Sequence, residues 1–128
     1  MENNYLSLLG LARRAGMLAI GDESARVALQ SKKARMLIMA SDASKRTKET
    51  FSFISESMDI PYIEVRESRE ELGNALGKRP CAAVAVCDIG FSAAIVKKLS
   101  MQNEAAKALS DEIVSKAEKA AARKKKKK

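Results

Sequence analysis

The sequence predicts an α/β protein: a three-layer α/β/α sandwich with a four-stranded central sheet, followed by a C-terminal helix. Three observations carry that expectation. Helical and strand-like segments alternate along the first hundred residues. The strand candidates Met36–Ala40 and Ala82–Val86 are continuous apolar runs, as in a sheet covered on both faces. The connecting segments show the apolar spacing of amphipathic helices.

Each element has a local reason. From Asn3 or Asn4 to Ala15, apolar residues fall at Tyr5, Leu8, Leu9, Ala12 and Ala15, and Gly16 can end a helix there. Met17–Ile20 is a short strand candidate. A Gly21-Asp22 turn leads into a second helix, to about Lys32, and Met36–Ala40 follows as a buried strand. Ser44 is a natural N-cap for a third helix whose face is Thr47, Phe51, Ile54 and Met58. Asp59-Ile60-Pro61 stops it, and Tyr62–Val65 is strand-like. Ser68 and Glu71 have capping-box spacing before a helix that ends near Gly77. Ala82–Val86 is the fourth strand, and Phe91–Leu99 a fifth helix buried through Phe91, Ile95 and Leu99. Connections of this length favour a mainly parallel sheet, in which the loops after successive strands gather at one edge. On that reading the turn at Gly21 and the loops Ser41–Ser44, Arg66–Ser68 and Asp88–Gly90 share an edge.

Residues 1–100 form the expected α/β/α domain. Residues 101–122 are rich in Ala, Lys and Glu. Leu109, Ile113 and Ala117, with Ala105 and Ala106, give one narrow apolar stripe on a helix about 28 Å long. Residues 123–128 are all basic and are expected to be a disordered tail through self-repulsion.

The charge is unevenly placed. The net charge is +8, but six of the 24 Lys and Arg sit at 123–128, leaving 18 against 16 Asp and Glu before them. The basic character is mostly a tail, so net charge alone does not argue for a basic groove. Aromatics make up 4% of the chain with no Trp, which disfavours a base-stacking platform. No signal peptide or apolar span of bilayer length is visible, so the expected compartment is the cytoplasm, with no membrane partner. Cys81 and Cys87 bound one strand candidate. Six residues of strand separate them by roughly 20 Å, against the about 4.4–6.8 Å a disulfide needs, so reduced thiols are expected.

Catalytic chemistry is poorly supplied. The chain has no His, which removes the commonest general base and metal ligand. Two cysteines six apart make a poor zinc site. Gly73–Arg79 is one residue short of a phosphate loop, lacks Ser or Thr after its Lys, and follows a helix. The expectation is a non-enzymatic protein with no catalytic residues, metal, cofactor or small-molecule substrate.

Binding chemistry is better supplied. The Gly21 turn places free backbone N–H groups, Asp22, Glu23 and Ser24 at a helix start. Glu23, Arg26, Gln30 and Lys33 make one polar stripe along that helix, which reads either as a solvated face or as a surface laid along an RNA groove. In the second reading Glu23 or Ser24 meets base edges while Arg26 and Lys33 meet phosphates. Asp22 and Glu23 would repel phosphate, which favours base or shape reading over phosphate clamping.

Gly21-Asp22-Glu23-Ser24 opening a helix, the strand Lys33–Asp42 and the segment Val65–Gly77 resemble the ribosomal L-seven-Ae / L-thirty-e / S-twelve-e / Gadd45 superfamily of kink-turn-binding proteins. The opening Leu8–Gly16 is similar to its bacterial YlxQ-like branch. The resemblance covers residues 4–99 and implies the same sandwich fold. It also implies binding of sharply bent RNA, in which tandem sheared G·A pairs sit beside a three-nucleotide bulge. The family's recognition loop reads Gly, a small polar residue, Asn, Glu, two variable residues and Lys. Gly21 and Asp22 match the first two positions. Glu23 stands at the Asn position, Ser24 at the Glu position and Val27 at the Lys position. The resemblance places Ser44 and Lys48 in a second contact region, and Arg66 and Glu67 in the loop over the flipped bulge nucleotide. It implies a ribosomal-like or ribosome-associated protein whose partner is structured RNA, ribosomal or otherwise. Two other readings remain. One is a protein-interaction module of the same fold, with a drifted site and only tail-driven RNA attraction. The other is a substrate-positioning domain like that of some RNA methyltransferases.

Overall fold

The computed structural model describes residues 5–101 and 103–126. The elements in chain order are α1 (Tyr5–Arg14), β1 (Leu18–Ile20), α2 (Asp22–Gln30), β2 (Met36–Met39), α3 (Lys45–Ser57), β3 (Tyr62–Glu64), α4 (Arg69–Leu76), β4 (Ala83–Val86), α5 (Ile89–Leu99) and α6 (Glu104–Lys126). The four strands form one sheet in the order β1-β4-β2-β3. The start of α1 expected at Asn3 or Asn4 lies outside the described residues.

Side chains alternate across the sheet, and the two faces differ in size. Met36, Ile38, Ile63, Val84 and Val86 face α1, α4, α5 and α6, where they join Tyr5, Leu9, Leu72, Ile95 and Leu99. Leu37, Met39, Ala83 and Ala85 face α2 and α3, where they meet Ala25, Leu29 and Phe51. The period of two in β2 and β4 thus supplies both layers of core from one apolar run. A fully buried residue of this kind stabilises by about 1.5–3 kcal/mol for a Val, Leu or Ile side chain.

The sheet is mixed rather than mainly parallel. β2 and β3 are parallel, whereas β4 runs antiparallel to both β1 and β2. The reversal comes from α4. Ser68 opens that helix with the expected capping box, and Gly77 closes it in the left-handed conformation at φ 65°. The chain then doubles back along the helix. Lys78 N–H donates to the Gly73 carbonyl at 2.8 Å, and Cys81 N–H to the Arg69 carbonyl at 3.2 Å. Gly73 makes this possible, since a Cβ there would sit 2.5 Å from the Arg79 carbonyl oxygen. The chain therefore enters β4 at the edge where β3 ended. Hydrophobic periodicity carries no information on strand direction, so the reversal is invisible to it.

This has a direct consequence for the loops. β1, β2 and β3 point the same way, so the turn at Gly21 and the loops Ser41–Ser44 and Arg66–Ser68 do share one edge. The Asp88–Gly90 junction lies at the opposite edge, because β4 is reversed. α5 also starts earlier than expected, at Ile89, because Asp88 caps it by accepting from Phe91 N–H at 2.9 Å.

α6 docks along its length. Asn103 caps it, accepting from Ala106 N–H at 3.1 Å, and its amide Nδ2 donates to the Glu64 carbonyl at 3.0 Å. Ala106 and Ile113 are fully buried in the same core as α1 and α5, with Leu109, Val114 and Ala117 packed beside them. The helix continues through Lys126 instead of giving way to a disordered tail at Arg123. Lysine is a good helix former, and cations favour a helix C-terminus, so a docked stripe propagates outward. Lys127 and Lys128 lie outside the described residues.

Candidate nucleic-acid interface

The Gly21 turn is built by its neighbours. Gly21 N–H donates to the Ala83 carbonyl at 2.9 Å, and the Gly21 carbonyl accepts from Ala25 N–H at 2.9 Å. Its backbone sits at φ 99°, ψ 162°, a region that favours glycine. No side chain caps the helix. Among the described residues, the N–H groups of Asp22, Glu23 and Ser24 have no protein acceptor, and all three side chains are exposed. An opening of this kind presents a row of donors to a ligand.

The second and third loops are tied to the first through the sheet. Ala40 N–H donates to the Ala82 carbonyl at 2.8 Å, one peptide away from the anchor of Gly21. Ser41 N–H donates to the Glu67 carbonyl at 2.9 Å, which links loops two and three. With strands about 4.8 Å apart, the three loops span roughly 14 Å. Two further residues brace this edge. Asp42 accepts from Arg69 N–H at 2.8 Å and pairs with the Arg69 guanidinium at 3.5 Å. Lys48 Nζ donates to the Ser41 carbonyl at 2.8 Å and to Glu64 Oε2 at 2.7 Å.

Several of the expected site residues therefore serve the edge itself. Ser44 Oγ accepts from Thr47 N–H at 3.0 Å and caps α3. Lys48 is spent on Ser41 and Glu64. Glu67 accepts from the Tyr5 hydroxyl and lies 3.8 Å from the Arg66 guanidinium. Burial, and then the bond to Glu67, push the Tyr5 phenol well above its usual range. Its neighbour Arg66 remains exposed. Arg26 reaches Glu23 at 3.7 Å in an exposed pair, worth little by itself. Val27 is 55% exposed, an apolar side chain on the outer face of α2.

Lys33 is the exception in position. It follows the last turn of α2, about 14 Å along the helix axis from Gly21, at the opposite edge of the sheet. There it lies close enough to Cys87 to oppose the upward push of burial on that thiol. The expected stripe therefore stops at Gln30: α2 ends there, and the left-handed Lys32 takes Lys33 off the helix face that carries Glu23, Arg26 and Gln30. Both cysteines are free thiols at opposite ends of β4, and burial raises each above its usual value. Among the described residues no cluster of His, Cys, Asp or Glu has the makings of a metal site.

The family model for the Ribosomal protein L7Ae/L30e/S12e/Gadd45 family matches residues 3–96. The chain belongs to this family. Among its relatives, the RNA-binding protein YlxQ of Bacillus subtilis is 32% identical over 95 residues, covering 74% of this chain and 94% of that protein. The RNA-binding protein YlxQ of Enterococcus faecium is 33% identical over 87 residues, covering 68% of this chain and 82% of that one. A solved structure of a protein of unknown function from Bacillus halodurans superposes with a TM-score of 0.72 at 36% identity, covering 77% of this chain and 99% of that chain. The family match ends in α5, so α6 lies beyond it.

Asp42, Tyr5 and Asn103 escaped the sequence reading of the site. Asn103 carried a usable signal, because an Asn three residues before an apolar helical stripe is an N-cap pattern. Asp42 and Tyr5 act on residues 27 and 62 positions away, which no local pattern reports.

Proposed function

We propose that this chain is a non-enzymatic RNA-binding protein that recognises structured RNA of the kink-turn kind through the Gly21 loop. The observation that carries this reading is the row of unpartnered N–H groups at Asp22–Ser24, held open by Gly21 and anchored on β4. Membership in the family and the names of its YlxQ relatives support RNA as the ligand. The acidic Asp22 and Glu23 suit acceptance from exocyclic amino groups of bases and disfavour direct phosphate clamping. Arg66 and Arg26 supply cations to the flanking backbone. Glu67, Ser44 and Lys48 hold the loops in place. A ribosomal or other structured RNA is the natural partner class.

The test is a titration with a kink-turn RNA and with the same RNA carrying its G·A pairs as Watson–Crick pairs. Discrimination between the two supports the proposal, and equal affinity overturns it. A second reading, a protein-interaction surface, is favoured by the exposed Val27 where the family carries Lys. Under that reading V27K would create RNA discrimination that the natural chain lacks.

A further inference from the structure

The edge opposite the loops carries a groove that the proposed loop site does not use. It has a volume of about 580 Å³ and lies between α6, the turn after α2 and the turn after α3. Lys32 and Arg35 from the turn after α2 and Lys116 and Lys119 from α6 line it, together with the apolar Met58, Pro61 and Ile89. All four cations are exposed. Among the described residues, Lys32, Arg35 and Lys119 have no carboxylate partner, and Lys116 pairs only with Glu112 at 3.4 Å, one helical turn away. Asp59 is the one carboxylate in the lining. The cations come from two separate segments, the turn after α2 and α6, and folding brings them together.

Two further observations concern the same place. Lys32 adopts φ 64°, at the position after the α2 C-cap where glycine is the usual residue. A lysine there accepts backbone strain that glycine would avoid. α6 starts beside Glu64 at the loop edge and runs to this groove, which it lines with Lys116, Lys119 and Ala120.

We infer that this groove is a second RNA contact, a sequence-independent seat for a phosphodiester backbone on the edge opposite the Gly21 loop. The groove presents clustered Lys and Arg, and its lining contains no aromatic ring. That chemistry fits phosphates and gives bases nothing to stack on. The inference rests on the RNA-binding reading for the nature of the polyanion and on the groove for its place. With the two sites about 14 Å apart along α2 and facing opposite ways, the protein would join a bent RNA motif to a second RNA segment.

The experiment measures binding of a straight RNA duplex as a function of salt, alongside the kink-turn pair above. It uses the full chain, K32E/R35E/K119E, and a chain lacking residues 123–128. The triple variant is expected to bind the duplex roughly tenfold or more weakly and to lose about 3 from the slope of log affinity against log salt, from ~0.9 per phosphate contact. Its kink-turn discrimination should be unchanged. A triple variant that keeps the parent's duplex affinity and slope overturns the inference, including where tail removal alone abolishes duplex binding. Loss of discrimination in the natural chain, with the groove effect intact, sinks the loop reading and leaves the groove. K32G separates charge from fold: it should raise the melting temperature while weakening the duplex. Stronger binding to an acidic polypeptide than to a duplex of equal charge would overturn RNA as the occupant.

Discussion

The two edges of the sheet carry opposite kinds of surface. At the loop edge, cations and carboxylates are interleaved: Lys48 is held by Glu64 and Arg69 by Asp42, while Arg66 and Arg26 pair only loosely with Glu67 and Glu23 at 3.8 and 3.7 Å. What stays open there is backbone, the N–H row at Asp22–Ser24. At the far edge the backbone is closed in turns, and what stays open is charge, from Lys32, Arg35 and Lys119. A surface of fixed donors among paired charges suits the reading of shape and base edges. Uncommitted cations suit attraction to any phosphate backbone. Under the two proposals, one domain would separate selectivity from charge-driven affinity, with β4 and α2 running between them.

The largest expected effect belongs to the C-terminal basic run. Removing residues 123–128 should lower the salt slope for duplex RNA by up to about 5, if all six charges meet phosphates. Discrimination between the kink-turn RNA and its Watson–Crick counterpart should survive. Salt titrations of both RNAs check this, and discrimination that vanished with the tail would break the division between edges.

Substitution at Gly21 acts on the loop edge alone. A Cβ there meets no atom within 4 Å, so the cost of G21A is confined to the backbone at φ 99°. It should be about 1–3 kcal/mol in denaturant unfolding, with the N–H row displaced and discrimination lost. Duplex binding should hardly change.

Tyr5→Phe removes the brace behind the third loop. Loss of the hydrogen bond to the Glu67 carboxylate should cost about 1.5–3 kcal/mol. The same residue has a signature in alkali. Its phenol is held above the ordinary value of 10 in the folded state. Its contribution is therefore full below about pH 10 and falls as the pH rises beyond it. Stability of the parent should decline across that range, and Y5F should lack this share of the decline.

The smallest effect is at the helix surface. A double-mutant cycle on Glu23 and Arg26 should give a coupling under about 1 kcal/mol in stability, because the pair is exposed and 3.7 Å apart. E23A alone should change RNA discrimination far more than it changes folding, which sharpens the assignment of Glu23 to the ligand side of the loop.

Much of the fold was legible because its signals are local. The Ser68–Glu71 capping box, the Ser44 cap, the Gly77 terminus and the apolar runs of β2 and β4 all depend on residues within one or two turns of each other. Of the candidate site, only the geometry of Gly21–Ser24 was legible, where a glycine-led helix start depends on adjacent residues. Ser44, Lys48 and Glu67 lie at the same edge as Gly21, and their partners Thr47, Glu64 and Tyr5 turn them toward the scaffold. Lys33 has the spacing of a helix face shared with Glu23 but lies past the end of α2 at the other edge, because spacing alone does not report where a helix stops.

By itself the sequence determined the alternation of helices and strands, the two-sided core and the glycine-led start of α2 at Gly21, since periodicity and helix starts are properties of short segments. Only the tertiary structure decided the direction of β4, because Gly73 lets the chain fold back on α4 over a distance no periodicity spans. That reversal moved the Asp88 junction to the far edge. The docking of α6 then set Lys116 and Lys119 opposite Lys32 and Arg35. A groove made from three elements exists only once they are packed, which is why charges that read as ordinary surface along the chain gather into one cluster in the fold.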